Sequence, residues 1–268
     1  MKYILSIIAT LLFFVSSCQI GKLDVVGDID GDLEEVSAVE TVSNSSLNWV
    51  LEDAGNQPKI YGLSDDGNIQ KVILIDDVDN DDWEDLTSDN DGNLYIGDFG
   101  NNSEKRKKFS ILKIENISNA NEISKAKKIN FTLPKGVKSK DFEAFFLLND
   151  HFYIFSKERK KAVVIKVPNS VGDHKAKFVS KYYLKGKDTE VTSADISDDG
   201  KTIVLLNHDR VWKLSNFADD KFFGGTVEEL DLEHKSQKEG ICFKSDSILY
   251  ITDERNKSEG GNIYSLKL

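Results

Sequence analysis

Short apolar runs separated by polar clusters repeat along this chain. "NWVLED" (48–53), "LYIGD" (94–98), "FYIFS" (152–156), "IVLLN" (203–207) and "LYITD" (249–253) are rich in aromatic and β-branched residues. They are too short for helices and predict buried strands. Four of the five follow a tight-turn signal, "DNDGN", "LND", "SDDGK" or "KSDS". Another short apolar piece precedes each of these turns, as in "DLT", "AFFLL", "ADIS" and "GICF", so the unit opens as a β-hairpin. A third strand follows each hairpin: "KIYGL", "FSILKI", "AVVIKV", "RVWKL" and "NIYSL". A fourth follows four of those: "QKVILID", "KKINFTL", "FVSKYYL" and "VEELDL".

The units recur every 45 to 60 residues or so, close to the period of four-stranded propeller blades. The fifth unit reaches Leu268 with only three strands, while "KLDVVGD" (22–28) stands alone before the first. This N-terminal strand is expected to complete the last blade and close the ring, which removes an open sheet edge. The predicted fold is an all-β, five-bladed β-propeller occupying residues 18–268 as one domain. Residues 118–126 and 168–175 are expected to be long connections.

Charge narrows the partners. Against 35 Lys and Arg stand 46 Asp and Glu, a formal net charge of −11. Nucleic acid and anionic membrane surfaces repel such a protein, whereas cations suit it. In a propeller the start of each first strand and the end of each second strand meet at one mouth of the central tunnel. The starts carry Ser37, Glu84, Glu143, Ser193 and Glu239, and the ends Asp53, Asp98, Ser156, Asn207 and Asp253. Crowded carboxylates repel one another, and calcium, which takes six to eight oxygens, relieves the repulsion. Glu84, Glu143, Glu239, Asp53, Asp98, Asn207 and Asp253 are therefore the candidate metal ligands. The competing reading has the same groups capping strand ends or facing water. At the opposite mouth, residues 89–93 are expected to serve turn geometry alone.

The remaining chemistry is sparse. The Asp-rich leads at 28–35 and 77–85 fail as EF-hands: from Asp77 the sixth position is Asp82 and the twelfth Ser88, and from Asp28 they are Leu33 and Val39. His151, His174, His208 and His234 lack zinc spacing. His208, in "NHDR" after a second strand, is the candidate general base. Two basic loops, "SEKRKK" (103–108) and "KERKK" (157–161), occupy matching places in adjacent blades. They are either solvated loop charge or a patch that grips an anion.

Lys2 precedes an apolar stretch, "YILSIIATLLFFV", too short to span a membrane comfortably, and then "VSSC". This resembles a bacterial lipobox, which implies a signal peptide over 1–17 and acylation of Cys18. Cys242 has no thiol partner and reads as a buried small hydrophobe.

"WEDLTSDNDGNLYIGDFGNN", "TSADISDDGKTIVLLNHDRVWKL" and "NWVLEDAGNQPKIYGL" resemble the blade motifs of bacterial envelope propellers of the SdiA-regulated kind. More distantly they are similar to the regucalcin/gluconolactonase and strictosidine-synthase-like propellers. The expectation is a monomeric lipoprotein of the cell envelope, on the outer rather than the inner membrane, touching the membrane through its lipid alone. At its tunnel mouth it would bind a glycan, a small anion or an envelope protein, with calcium as cofactor. The alternative is a calcium-dependent hydrolase: a lactonase, esterase or phosphoesterase.

Overall fold

A computed structural model describes residues 19–257 and 259–268. The expected signal peptide over 1–17 and Cys18 lie outside the described residues. The strands form five main sheets, each antiparallel through its four principal strands. The first blade holds Val36–Thr41, Asn48–Glu52, Lys59–Leu63 and Ile69–Ile75 from the axis outward. The second holds Trp83–Ser88, Leu94–Asp98, Phe109–Ile114 and Lys127–Thr132. Phe142–Leu148, His151–Ser156, Ala162–Pro168 and Lys177–Tyr182 make the third. Ser193–Ile196, Ile203–Leu206, Arg210–Ser215 and Thr226–Asp231 make the fourth. The fifth takes Lys238–Ser245, Ile248–Asp253 and Asn262–Lys267 from the C-terminus and Leu23–Asp28 from the N-terminus. Each innermost strand touches the next around the axis, and the fifth touches the first. The molecule is a closed five-bladed β-propeller, shut by its N-terminal strand.

The second strands are apolar at almost every position because both of their faces are covered. Val50 packs between the first and fifth blades, and its neighbour Leu51 between the first and second. Side chains alternate across a strand, so one strand feeds two interfaces. Five apolar clusters result, one at each blade junction. Trp49 and Trp83 share the first junction, Trp212 lies in the cluster between blades three and four, and Cys242 is buried between blades five and one. The outermost strands have one wet face and read differently, as "TVEELD" at 226–231 illustrates.

The two long connections add short strands. Ile123–Ser124 pairs in parallel with Leu74 and Ile75, covering the outer edge of the first blade. Gly172–Lys175 pairs in parallel with residues 129–132, covering the second. In each case the blade that follows in sequence supplies the cover. Edge strands left bare invite pairing with other chains, so these segments protect the ring.

Candidate functional site at the acidic tunnel mouth

Four innermost strands begin with a register shift, between Val36 and Ala38, Trp83 and Asp85, Phe142 and Ala144, and Lys238 and Gly240. The extra residue in each is Ser37, Glu84, Glu143 or Glu239. A β-bulge re-aims the side chain of its unpaired residue. Here it brings Glu84, Glu143 and Glu239 to one mouth although all three are largely buried. In the fourth blade Ser193 pairs with Leu206 without a shift, and its hydroxyl turns into the tunnel.

Glu84 is the junction of two carboxylate groups. Asp53, Asp82 and Glu84 each place an oxygen within 4.8 Å of the others, and so do Glu84, Asp141 and Glu143. Burial, then Glu143, Asp53 and Asp82, push the Glu84 carboxyl well above the usual carboxylate range. Asp82 is pushed up to about 6 by burial, and by Asp53 and Asp141. Glu254 is pushed up to about 7 by burial, Glu239 and Asp53. The strain at this mouth is therefore the cost of holding like charges together away from water.

The basic loops answer part of that charge. Lys157 Nζ lies 2.9 Å from Glu143 Oε2. Burial works against its ammonium, but Glu143 and Glu239 outweigh burial and keep it charged. Burial also raises Glu143, and Lys157 offsets part of that rise. Arg106 lies 3.0 Å from Asp98, whose carboxyl burial still pushes up to about 6. His208 Nε2 sits 3.0 Å from Glu239 Oε1. Asp53, Asp82 and Glu84 form no ion pair among the described residues closer than 4 Å, which makes theirs the uncompensated group.

The second set of candidates divides. By register, Glu52, Asp98, Ser156 and Asp253 are equivalent, facing Val36, Trp83, Phe142 and Lys238. Asp53 lies one residue beyond that slot and reaches the Glu84 group instead. Asp253 accepts hydrogen bonds from the Asn262 N–H and the Tyr264 hydroxyl, both at 2.9 Å. Glu52 likewise accepts from Tyr61, and Ser156 from the Val163 N–H. Asn207 Oδ1 accepts from the N–H groups of Asp209 and Arg210. These side chains hold the turn between second and third strands, so Asp253 and Asn207 lie outside the two carboxylate groups.

Asp82, Asp141 and Lys157 belong to the site, yet strand-end reasoning did not select them, because they sit in the loops flanking the bulges. For Asp82 and Asp141 the signal was an acid two residues before the bulge Glu, in "DWE" and "DFE", and for Lys157 it was the basic run at 157–161. Deeper in, fully buried Asp85 accepts four bonds, from Leu86 N, Ser193 Oγ, Phe145 N and Ala194 N. It ties three blades together across the axis. An acid inside a short apolar strand, "DLT", was its mark.

Gly100 sets the wall beside Glu84. A Cβ on it would stand 1.9 Å from Glu84 Oε1 and 2.5 Å from Asp82 Cγ. Gly100→Ala is expected to leave the propeller folded while displacing both carboxylates, weakening any cation binding there by tenfold or more. A cation titration of parent and variant checks this; equal affinity would separate Gly100 from the site.

A five-bladed propeller with a carboxylate-lined mouth is the class these observations define. The SdiA-regulated family profile matches residues 25–258, and the chain belongs to that family. Among curated proteins no sequence matches it. Solved structures resemble it in fold at low identity. A gluconolactonase from Xanthomonas campestris is 9% identical with a TM-score of 0.53, covering 92% of this chain and 89% of its own. A chain of a nidogen/laminin complex is 10% identical with a TM-score of 0.52, covering 88% of this chain and 84% of its own. Hydrazine synthase of Kuenenia stuttgartiensis is 13% identical at a TM-score of 0.45; the match covers 86% of this chain and 58% of that one.

Proposed function

We propose that this propeller is a calcium-dependent binding protein of the bacterial cell envelope, with its ligand site at the Glu84 mouth. The observation that carries this reading is the pair of carboxylate groups sharing Glu84. Calcium prefers such oxygen sets. Asp53, Asp82 and Glu84 would hold it, with Asp141 and Glu143 beside them. Bound calcium supplies positive charge that both relieves the carboxylates and attracts an anionic ligand group. A neighbouring pocket of about 320 Å³, lined in part by Lys157, Arg159, His208 and Lys235, would take the rest of an anionic ligand. Calorimetric titration of calcium into chelator-treated protein is expected to show saturable binding that Glu84→Gln abolishes and Asp89→Asn, at the opposite mouth, does not. At a hundredfold excess over Kd, calcium should add about 2.7 kcal/mol of stability. An unchanged melting curve with and without chelator, and no heat of binding, would overturn the reading.

The His208–Glu239 pair supports a second reading, a calcium-dependent hydrolase in which His208 acts as base. One structural neighbour is a gluconolactonase. Lactone turnover abolished by His208→Asn with calcium binding intact would select the hydrolase; absence of turnover across lactones and simple esters would leave the binding protein.

Envelope anchoring rests on the "VSSC" sequence. Lipidation of Cys18 predicts that Cys18→Ala moves the protein from the membrane to the soluble fraction, and that the mature parent begins at Cys18 by mass spectrometry. A different mature N-terminus would remove this anchor.

A further inference from the structure

A large cavity lies at the other end of the tunnel. It measures about 750 Å³ and is walled by the turns that join first and second strands in all five blades. It shares no lining residue with the Glu84 mouth. Its floor is acidic and buried: Glu40 is 5% exposed and Asp195 7%. Ser88 Oγ donates to Glu40 Oε1 at 2.7 Å, whereas Glu40 Oε2 has no hydrogen-bond partner. Asp195 accepts from Ile196 N and Phe243 N, each at 2.7 Å, and retains further lone pairs. A buried acceptor left without a donor is costly, so this floor calls for a ligand that donates.

The chemistry of that ligand follows from the walls. Seven carboxylates and two lysines line the cavity. Lys244 is held by Asp65 and lies over the Tyr250 ring, and Lys113 lies over the Tyr95 ring. Anions are therefore disfavoured. A bare metal ion is disfavoured too: the convergent carboxylate groups among the described residues are both at the Glu84 mouth, and none is here. The volume is that of a small-molecule pocket. Leu147, Leu148, Ile196 and Phe243 add apolar wall between the acids. An ammonium carries three donors and no acceptor, and methylene groups suit the leucines.

We propose that this cavity is a second binding site, for a protonated aliphatic di- or polyamine whose ammonium groups meet Glu40, Asp195 and the rim acid Asp198. The site is independent of cation binding at Glu84. Glu40→Gln tests it cleanly, since glutamine keeps the acceptor for Ser88 and removes the charge. Asp198→Asn is a second variant, at an exposed turn where folding is not at risk. Spermidine is titrated calorimetrically into the full mature chain in low salt with chelator present. Saturable binding is expected, weakened tenfold or more by Glu40→Gln, several-fold by Asp198→Asn, and unchanged by Glu84→Gln. Absence of saturable binding to the parent would overturn the proposal. So would equal losses in Glu40→Gln and Glu84→Gln, which would mark diffuse attraction to an acidic surface. Displacement of spermidine from Glu84→Gln by equimolar calcium, after the chelator is removed, would make the cavity a metal site and overturn it equally.

Discussion

Deletion of residues 22–27 is expected to abolish the cooperative unfolding of this protein or lower its melting temperature by more than 10 °C or so. The segment is the fourth principal strand of the fifth blade, pairing Asp24 with Ser265, Val25 with Tyr264 and Gly27 with Ile263. Leu23 is fully buried in the cluster between the fourth and fifth blades. Losing a buried leucine alone costs about 2–5 kcal/mol, a large share of a typical domain's total stability. The ladder to Asn262–Lys267 goes with it, leaving the C-terminal strand as a bare edge prone to aggregation. Just beyond the cut, the Asp28 carbonyl lies so close to Gly67 that a Cβ there would stand 2.1 Å from it, so the strand also seats the first blade. Removal of residues 19–20 takes away a short pairing with Leu23 and Asp24 and the partly buried Ile20 at the edge of that cluster, and should change the melting temperature far less. Equal melting of the two truncations, by calorimetry, would show that the ring does not depend on this closure.

In chelator, the protein is expected to be more stable near pH 5 than near pH 8, the reverse of ordinary acid denaturation. Burial pushes Asp195 and Glu254 up to about 7 and Asp82 and Asp98 up to about 6. Burial also lifts Glu40, Glu84, Asp85 and Glu143 well above the usual range. A carboxyl whose folded pKa is raised binds more protons folded than unfolded. Its stabilising effect is complete below the unfolded value near 4 and is lost as pH rises through the folded value. The window here runs from about 4 to about 7 and somewhat beyond. Asp65, Asp89, Asp209 and Asp220 have lowered values and act with the opposite sign, but in a window below pH 4. Urea midpoints at pH 5 and pH 8 measure the slope directly. A higher midpoint at pH 8 without calcium would mean the acids are solvated or already paired. Calcium should raise the pH 8 midpoint most, because it binds the ionised form.

The repeat, the strand set and the split last blade were legible because each has a local cause. Two-sided burial demands the unbroken apolar runs at 94–96 and 203–206, and tight turns demand Asp, Asn and Gly between strands. The strand at 22–28 declared itself by lacking neighbours of its own. The bulge glutamates were legible as well, since a charge at the lip of a buried strand has no packing role. Other features depend on contacts between distant segments. Nothing local separates Asp53, which reaches Glu84, from Asp253, which is spent on Tyr264; one residue of register decides it. Lys157 and Arg159 lie in one basic run, yet Lys157 turns in to Glu143 and Arg159 turns out to Glu190. The turns at 89–91 and 198–200 read as geometry alone, and Asp89 does brace its own turn through Asn93 and Tyr95. Only the closing of five blades sets those turns around a cavity floored by Glu40 and Asp195. Sequence determined which segments become strands because backbone pairing and burial act over a few residues. The tertiary structure decided which acids meet, because charge repulsion and cavity shape depend on through-space distances that the order of residues does not contain.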